Sequence, residues 1–207
     1  MEWTSFFAAS AGRAPRPLVR QVLERRGDLP AGVALDLGCG DGTEARFLAA
    51  RGWRVHAYDG APGTPARVRA GVSGPAAALL TATRAAFEDL ASLPDADLVY
   101  AGHALPFCPE ESFATLWQAV RDCLRPGAWL IADFFGPRDL WVGRTDMSFR
   151  GRTQIEALLG GLDAVRIDEV EGPAGTPFGP KHLHLLTAVA HRPVLRRPPA
   201  PASGYSG

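Results

Sequence analysis

The chain has 207 residues, of which 46% are hydrophobic, so it fits one domain with a single large core. Its 22 lysine and arginine residues balance 22 aspartate and glutamate residues, which leaves no net field toward nucleic acid or an anionic membrane surface. Short apolar stretches and three scattered cysteines argue against a membrane span, a disulfide framework and a zinc site, and we expect a cytoplasmic protein.

Apolar periodicity and breaker residues predict alternating helices and strands. Helices are expected over 17–26, from residue 44, weakly over 66–70, over 113–124, and from a capping box at Thr153 through residue 159. Strands are expected over 33–37, 53–59, 78–83, 97–101, 128–134, 164–170 and 183–190. This order predicts an α/β fold with seven strands in one domain, residues 1–191. The Pro-rich residues 192–207 are expected to form a disordered tail.

A glycine-rich loop directly follows the first strand. Residues 33–43 read VALDLGCGDGT, with Asp36 inside the apolar strand and glycine at three alternate positions after it. Glycine permits positive φ and the close approach of a ligand to the backbone. A dinucleotide site would need glycine or alanine where Thr43 stands, and the carboxylates of Asp36, Asp41 and Glu44 would repel a pyrophosphate. The loop therefore suits a cationic ligand.

The acidic strand end followed by G-x-G-x-G resembles the signature of the class I, Rossmann-like methyltransferases that bind S-adenosylmethionine, a sulfonium and ammonium compound. Asp59 matches the acid that this family places at the end of the second strand. The resemblance runs from about Val33 to Ala190 and implies a doubly wound, mostly parallel seven-stranded sheet with an antiparallel last strand, in a three-layer αβα architecture. A later run, FGPKHLH, resembles G-x-P-K-H-W-H in a bacterial subgroup of small methyltransferases, with Leu183 replacing the tryptophan.

The resemblance assigns cofactor binding to residues at or just after the ends of the first four strands, and to Arg13 in the N-terminal segment. Asp36 and the glycine loop would hold the amino-acid end, and Asp59 would hold the ribose. Phe87 and Glu88 would bind the adenine, and a lid within residues 1–30 would close over the cofactor. The predicted cofactor-binding residues are Arg13, Asp36, Gly38, Cys39, Gly40, Asp59, Gly60, Phe87, Glu88 and Ala101.

Two parts of this assignment have alternatives. The family often has an acid where Ala86 stands, so the alternative for Glu88 is a solvated loop residue without a cofactor contact. Arg13 is a candidate for binding the methionine carboxylate, but the neighbouring aromatic residues Trp3, Phe6 and Phe7 could equally form a hydrophobic plug.

The loop after the fourth strand and the start of the last strand border the acceptor in this family. His103 is the titratable group in that loop and a candidate base for the acceptor's proton, with a structural or substrate-shaping role as the alternative. Phe107, Lys181 and His182 are the predicted substrate-binding residues. No metal site is predicted, because His182 and His184 lack a third ligand, and we expect His184 to be buried and hydrogen-bonded.

These residues predict methyl transfer from S-adenosylmethionine, in line, to a small-molecule acceptor, with positioning and desolvation as the main source of catalysis. A second hypothesis keeps the fold but not the reaction, in a cyclase or binding module whose cofactor is absent or structural. The acceptor atom stays open among oxygen, nitrogen, carbon, sulfur and a metalloid such as tellurium. No nucleic-acid or membrane partner is expected, and the protein is predicted to be a monomer or a homodimer.

Overall fold

The computed structural model describes Trp3, Phe7 and residues 12–176 and 179–194. The strands of this part of the chain are β1 (Val33–Leu37), β2 (Arg54–Asp59), β3 (Leu80–Arg84), β4 (Ala96–Ala101), β5 (Leu124–Phe135), β6 (Asp163–Thr176) and β7 (Gly179–His191). Its α-helices are α1 (Pro17–Arg26), α2 (Thr43–Ala49), α3 (Thr64–Arg69), α4 (Gly74–Leu79), α5 (Glu110–Cys123) and α6 (Arg152–Leu158). Short 3₁₀ helices cover Phe87–Asp89 and Leu105–Phe107.

The seven strands form one sheet in the order β3-β2-β1-β4-β5-β7-β6. Strands β1 to β5 pair in parallel, whereas β7 runs antiparallel to both β5 and β6. The predicted fold class, a mostly parallel seven-stranded sheet with an antiparallel last strand, is confirmed. Because β1 lies between β2 and β4, the direction of winding reverses between β3 and β4. Ligands of doubly wound sheets bind at such a switch point, outside the carboxyl ends of the strands.

Helices cover both faces of the sheet. On one face, Trp117 of α5 packs in a core cluster with Leu35 of β1. On the other face, Val22 of α1 and Leu48 of α2 pack in a second cluster with Ala34 of β1. Alternate residues of β1 therefore point into different clusters, as expected for a strand that is buried on both sides. This arrangement gives the three layers of the predicted αβα architecture.

Three predicted element boundaries are wrong near helices. Ala78 and Leu79 belong to α4 and not to the third strand, because a proline in the first turn followed by alanines favours a helix. Leu124 pairs with Ala96 as the first residue of β5, so α5 ends one residue earlier than predicted. Helix α6 begins after Gly151, whose N–H donates to Gln154 Oε1 at 2.9 Å, and not at the predicted capping box.

The last two strands are longer than predicted. Their antiparallel pairing runs from Asp163 opposite His191 to Thr176 opposite Gly179. Pairing beyond the predicted domain end also occurs, since Arg192 N–H donates to Ala128 O at 2.8 Å. Residues 195–207 of the predicted tail, and residues 1, 2, 4–6 and 8–11 of the predicted lid, lie outside the described part of the chain. None of the described helices is both long and apolar enough to cross a membrane.

Candidate active site

A cavity of about 680 Å³ lies over the carboxyl ends of the parallel strands. This volume falls within the range of about 300–1,000 Å³ that is typical of small-molecule sites. Its wall begins at Asp59, the last residue of β2, and at Phe87 after β3. It continues past Asp36 and His103 at the switch point to Lys181 near the start of β7. Strand β7 contributes its beginning because it runs antiparallel to the others.

Backbone of the glycine loop forms one wall of the cavity. Gly38 and Gly40 have φ of 70° and 56°, in the left-handed region that favours glycine. The N–H groups of Gly38 and Cys39 donate to Tyr58 O at 2.8 and 2.9 Å. A Cβ at position 38 would lie 2.3 Å from the Ala104 Cβ, so only glycine fits between the loop and the segment after β4.

Asp36 is a buried carboxylate without a hydrogen-bond partner. Its exposed fraction is 1%, it lines the cavity, and neither of its oxygens accepts a hydrogen bond from any residue that the structure describes. Burial raises its pKa well above the usual range, and the neighbouring Glu44 carboxylate raises it further. The Ala45 N–H opposes this shift but does not reach hydrogen-bonding geometry. The raised pKa favours the protonated form in the free protein, and a cation or hydrogen-bond donor from a ligand would stabilise the ionised form.

Asp59 lies at the end of β2 with both oxygens fixed by backbone donors. Its Oδ2 accepts the Gly40 N–H at 2.9 Å, and its Oδ1 accepts the Ala61 N–H at 2.8 Å. Each carboxylate oxygen has a second lone pair, and the side chain lines the cavity. The carboxylate is therefore oriented in advance and can still accept hydrogen bonds from ligand hydroxyls.

Arg13 and Glu44 form a bidentate ion pair at the cavity wall. Arg13 Nη1 and Nη2 donate to Glu44 Oε1 and Oε2 at 2.6 and 2.5 Å, and the Arg16 N–H donates to Oε1 at 3.1 Å. The hydrogen bonds that Arg13 donates to Glu44 are the main reason that the pKa of Arg13 is raised. The pair attaches the segment before α1 to the glycine loop, and the Arg13 guanidinium, which is partly exposed, stays next to the cavity.

His103 faces the cavity at the switch point and is held by Asp133. Its backbone, with φ of 52°, donates an N–H to Asp133 Oδ2 at 2.9 Å, and its Nε2 lies 3.6 Å from the same oxygen. The fully buried Asp133 also accepts from Arg16 Nη1 and from Thr187 Oγ1, the latter at 2.6 Å. The side chain of His103 is 43% exposed, and the residue lines the cavity. Desolvation lowers the pKa of His103, and Arg16 and Arg13 lower it further against the opposing effect of Asp133, so the neutral imidazole is favoured.

Aromatic rings line the far end of the cavity. The Phe107 ring lies 6.0 Å from the Phe135 ring and 6.3 Å from the Trp141 ring, and it meets the Trp3 ring edge-on at 4.9 Å. Phe135 and Trp141 are 5.9 Å apart. The angles between the planes of Phe107, Phe135 and Trp141 are 55° to 74°, so none of these three rings stacks on another.

A buried ion pair between Lys181 and Asp139 packs against two of these rings. Lys181 Nζ lies 2.7 and 2.9 Å from the two carboxylate oxygens of Asp139, and the exposed fractions of the two side chains are 2% and 0%. The ammonium also lies 3.5 Å from the Trp141 ring centroid and 4.0 Å from that of Phe135. Asp139 further accepts the N–H groups of Trp141 and His184 at 3.0 and 3.1 Å. Burial lowers the pKa of Lys181, while Asp139 opposes the shift.

Residues 34–127 match the family model described as a methyltransferase domain. TehB from Haemophilus influenzae has a similar structure, with a TM-score of 0.71 at 14% identity, over 92% of this chain and 67% of that chain. The chain has the methyltransferase fold. The N-methyltransferase NodS from Bradyrhizobium japonicum, in complex with S-adenosyl-L-homocysteine, gives a TM-score of 0.63 at 17% identity, over 88% of this chain and 90% of that chain.

A third similar structure is a Burkholderia thailandensis 1,6-didemethyltoxoflavin-N1-methyltransferase with bound 1,6-didemethyltoxoflavin and S-adenosylhomocysteine. Its TM-score is 0.58 at 18% identity, over 92% of this chain and 84% of that chain. No curated protein sequence matches the chain significantly. At these identities the likeness establishes a shared fold.

Within this methyltransferase fold, most of the predicted site residues line one cavity. Those that do are Arg13, Asp36, Gly38, Cys39, Gly40, Asp59, Gly60, Phe87, Glu88, His103, Phe107 and Lys181. Ala101 does not, because it is the buried last residue of β4. His182 does not either, since successive side chains of a strand point to opposite faces and Lys181 faces the cavity. The half-exposed His182 ring instead lies 3.2 Å from Glu171.

His184 is buried and hydrogen-bonded, as predicted. Its Nδ1 accepts the Arg138 N–H at 3.1 Å, and its Nε2 lies 2.9 Å from Glu169 Oε1. A neutral imidazole that accepts at Nδ1 carries its proton on Nε2, which then donates to the carboxylate. Both nitrogens are engaged in the protein's own contacts.

Sequence reasoning missed six residues that line or support the part of the cavity over β4, β5 and β7. They are Arg16, Tyr100, Asp133, Phe135, Asp139 and Trp141. Asp133 had a detectable signal, since it is a carboxylate inside the apolar run AWLIADFF, as Asp36 is in β1. Asp139 and Trp141 lie in an irregular segment after β5 whose sequence has no periodic pattern.

Proposed function

We propose that this protein is an S-adenosylmethionine-dependent methyltransferase that acts on a small-molecule acceptor. The observation that carries the proposal is Asp36, a buried carboxylate without a hydrogen-bond partner among the described residues, beside the backbone wall made by the glycine loop. The family match over residues 34–127 and the shared fold support methyltransferase activity. Two of the similar structures contain S-adenosylhomocysteine, and one of these also contains a small-molecule substrate.

The residues present fit this cofactor. Asp36 would accept hydrogen bonds from the ammonium of the methionine end, and Asp59 would accept them from the ribose hydroxyls. Phe87 and Glu88 line the cavity beyond β3, where the adenine would lie. When bound, the cofactor supplies an electrophilic methyl group on a sulfonium. The acidic side chains around this half of the cavity favour a cation over a diphosphate.

The contribution of the chain to the reaction would be positioning, exclusion of water and removal of one proton. A neutral imidazole at His103 can accept a proton from an acceptor whose nucleophile reaches the cavity. The balanced charge of the chain favours a small molecule over a nucleic acid as the acceptor.

Replacement of Asp59 by alanine is expected to weaken S-adenosylmethionine binding by about tenfold or more, because hydrogen bonds to a charged group are worth about 1.5–3 kcal/mol. Isothermal titration calorimetry measures the affinity directly. Asp95→Ala serves as the control, since the Asp95 side chain is 73% exposed and does not line the cavity. An unchanged affinity in Asp59→Ala would contradict the ribose assignment.

The activity itself is tested with methyl-labelled S-adenosylmethionine and a small-molecule extract. Transfer of the label into an extracted compound by the purified protein is the expected result. Cofactor binding without any transfer would favour the second hypothesis, a methyltransferase fold that serves as a binding module.

A further inference from the structure

We infer that the acceptor is an uncharged, planar aromatic molecule whose nucleophile is a phenol-type hydroxyl group. The inference rests on the proposed function and concerns the half of the cavity that lies over β4, β5 and β7. It follows from the distribution of charge along the cavity, from the aromatic walls of that half and from the position of His103.

Charge is segregated along the cavity. The half over β1, β2 and β3 is lined by the acidic residues Asp36, Asp41, Glu44, Asp59 and Glu88. In the other half, the carboxylates of Asp133 and Asp139 are fully buried and paired with Arg16 and Lys181. A cationic acceptor such as an amine therefore meets no unpaired carboxylate among the described residues of this half, and it would be repelled by a bound sulfonium.

An anionic acceptor is not favoured either. Each cation that the structure describes in the acceptor half is neutralised by its partner, Lys181 by Asp139 and Arg16 by Asp133. Desolvation lowers the pKa of His103, which disfavours a positive charge on its imidazole. The acceptor half is thus close to electroneutral, and an uncharged ligand enters it with the smallest desolvation cost.

The walls of this half suit a flat ring. Phe107, Phe135 and Trp141 line the cavity at angles of 55° to 74° to one another, so parts of three inclined rings face a ligand. The Lys181 ammonium contacts the rings of Phe135 and Trp141, and this contact holds their orientation. Each aromatic pair adds about 0.5–1.5 kcal/mol to the burial of apolar area, so a planar aromatic ligand gains more here than a puckered aliphatic one.

His103 selects the nucleophile by its acidity. In the transfer, the oxygen–methyl bond forms as the sulfur–methyl bond breaks, sulfur keeps the electron pair of that bond, and the hydroxyl proton passes to an imidazole nitrogen of His103. The pKa of a phenol is near 10, within reach of an imidazole base, whereas that of water, which resembles an alkyl alcohol, is about 15.7. A phenol-type hydroxyl is therefore matched to the base that the cavity provides.

The test compares two molecules of the same carbon skeleton, 2-naphthol and the saturated trans-2-decalol, on protein loaded with S-adenosylhomocysteine. Calorimetry is expected to show about tenfold tighter binding of 2-naphthol, although decalol has no less apolar surface. The cationic 2-naphthylmethylamine is expected to bind at least about tenfold more weakly than 2-naphthol. With labelled S-adenosylmethionine, 2-naphthol should form its methyl ether, and decalol should not.

Two variants test whether the aromatic residues of the cavity account for the binding of 2-naphthol. Trp141→Leu should weaken 2-naphthol binding by about fivefold, whereas Trp129→Leu, at the opposite end of β5 and outside the cavity, should leave it within about twofold. S-adenosylhomocysteine affinity should be unchanged in both, which shows that the variants fold. If Trp141→Leu fails this check, Phe107→Leu replaces it.

The outcomes separate the two proposals. Failure of the native protein to bind S-adenosylhomocysteine overturns the proposed function. Normal binding of that nucleoside together with equal or tighter binding of decalol, tighter binding of the amine, or no effect of the Trp141 and Phe107 variants overturns only the acceptor class.

Discussion

Replacing Lys181 by methionine is expected to lower the free energy of unfolding by about 3 kcal/mol or more. Methionine preserves the length and most of the apolar contacts of the side chain but leaves Asp139 as a buried carboxylate without its cation. Removal of one member of a buried pair typically costs about 3–5 kcal/mol. The lower part of this range applies because Asp139 retains two backbone donors, the N–H groups of Trp141 and His184. Urea denaturation followed by tryptophan fluorescence measures the loss.

Two further variants distinguish the cost of leaving the Asp139 carboxylate buried and unpaired from the cost of removing any cation from an ion pair. Arg144→Met removes the cation of an exposed pair, Arg144 with Asp146, and should cost less than about 1 kcal/mol. The double variant Lys181→Met/Asp139→Leu should recover most of the stability, since it leaves no buried charge unpaired. A Lys181→Met protein as stable as the native one would show that the backbone donors alone satisfy Asp139.

The cofactor half of the site could be predicted from sequence because its parts are local. Gly38, Gly40 and Asp36 belong to one strand and the turn that follows it, and Asp59 ends the next strand. The carboxyl ends of adjacent parallel strands meet at one edge of the sheet, so strand order alone brings these residues together. Helix α1 was also predicted with its observed limits, because a proline opens it and Gly27, with φ of 61°, ends it.

The acceptor half depends on contacts between distant parts of the chain. Arg16 and Asp133 are 117 positions apart, and Lys181 and Asp139 are 42 apart. No local sequence pattern predicts such pairs. Arg16 lies in the segment before α1 and Asp133 in β5, whereas Asp139 lies in the loop after β5 and Lys181 in β7. His182 lies outside the cavity lining for a different reason, because the motif gave the right segment of β7 but not the face to which each side chain points.

Asp36→Asn is expected to weaken S-adenosylmethionine binding by about tenfold to a hundredfold and, without ligand, to make the protein more stable than the native one near neutral pH. The loss of affinity follows from removing the charge that pairs with the ammonium, at about 1.5–3 kcal/mol for a charge-assisted hydrogen bond. The gain in stability follows from the raised pKa of Asp36 in the folded chain, which has burial as its main cause.

The sign of the pH effect is fixed by this shift. As pH rises above the ordinary aspartate value of 3.8, the unfolded chain loses the Asp36 proton before the folded chain does. Native stability therefore falls by up to about 1.4 kcal/mol per pH unit until the folded-state pKa is passed. Asparagine does not titrate, so the stability difference between variant and native protein should be near zero at pH 4 and should grow toward pH 7.

Urea denaturation at a series of pH values measures this difference, and Asp95→Asn, at an exposed carboxylate, is the control that should show no such trend. Calorimetry in buffers of different ionisation enthalpy gives an independent readout, because cofactor binding that ionises Asp36 releases a proton in the native protein and none in the variant. A variant that binds the cofactor normally, or that is less stable than the native protein at neutral pH, would mean that Asp36 is not the carboxylate that receives the cation. Since both the affinity and the stability readouts depend on one unpaired side chain, opposite changes in the two are the signature of a residue kept for binding at the expense of stability.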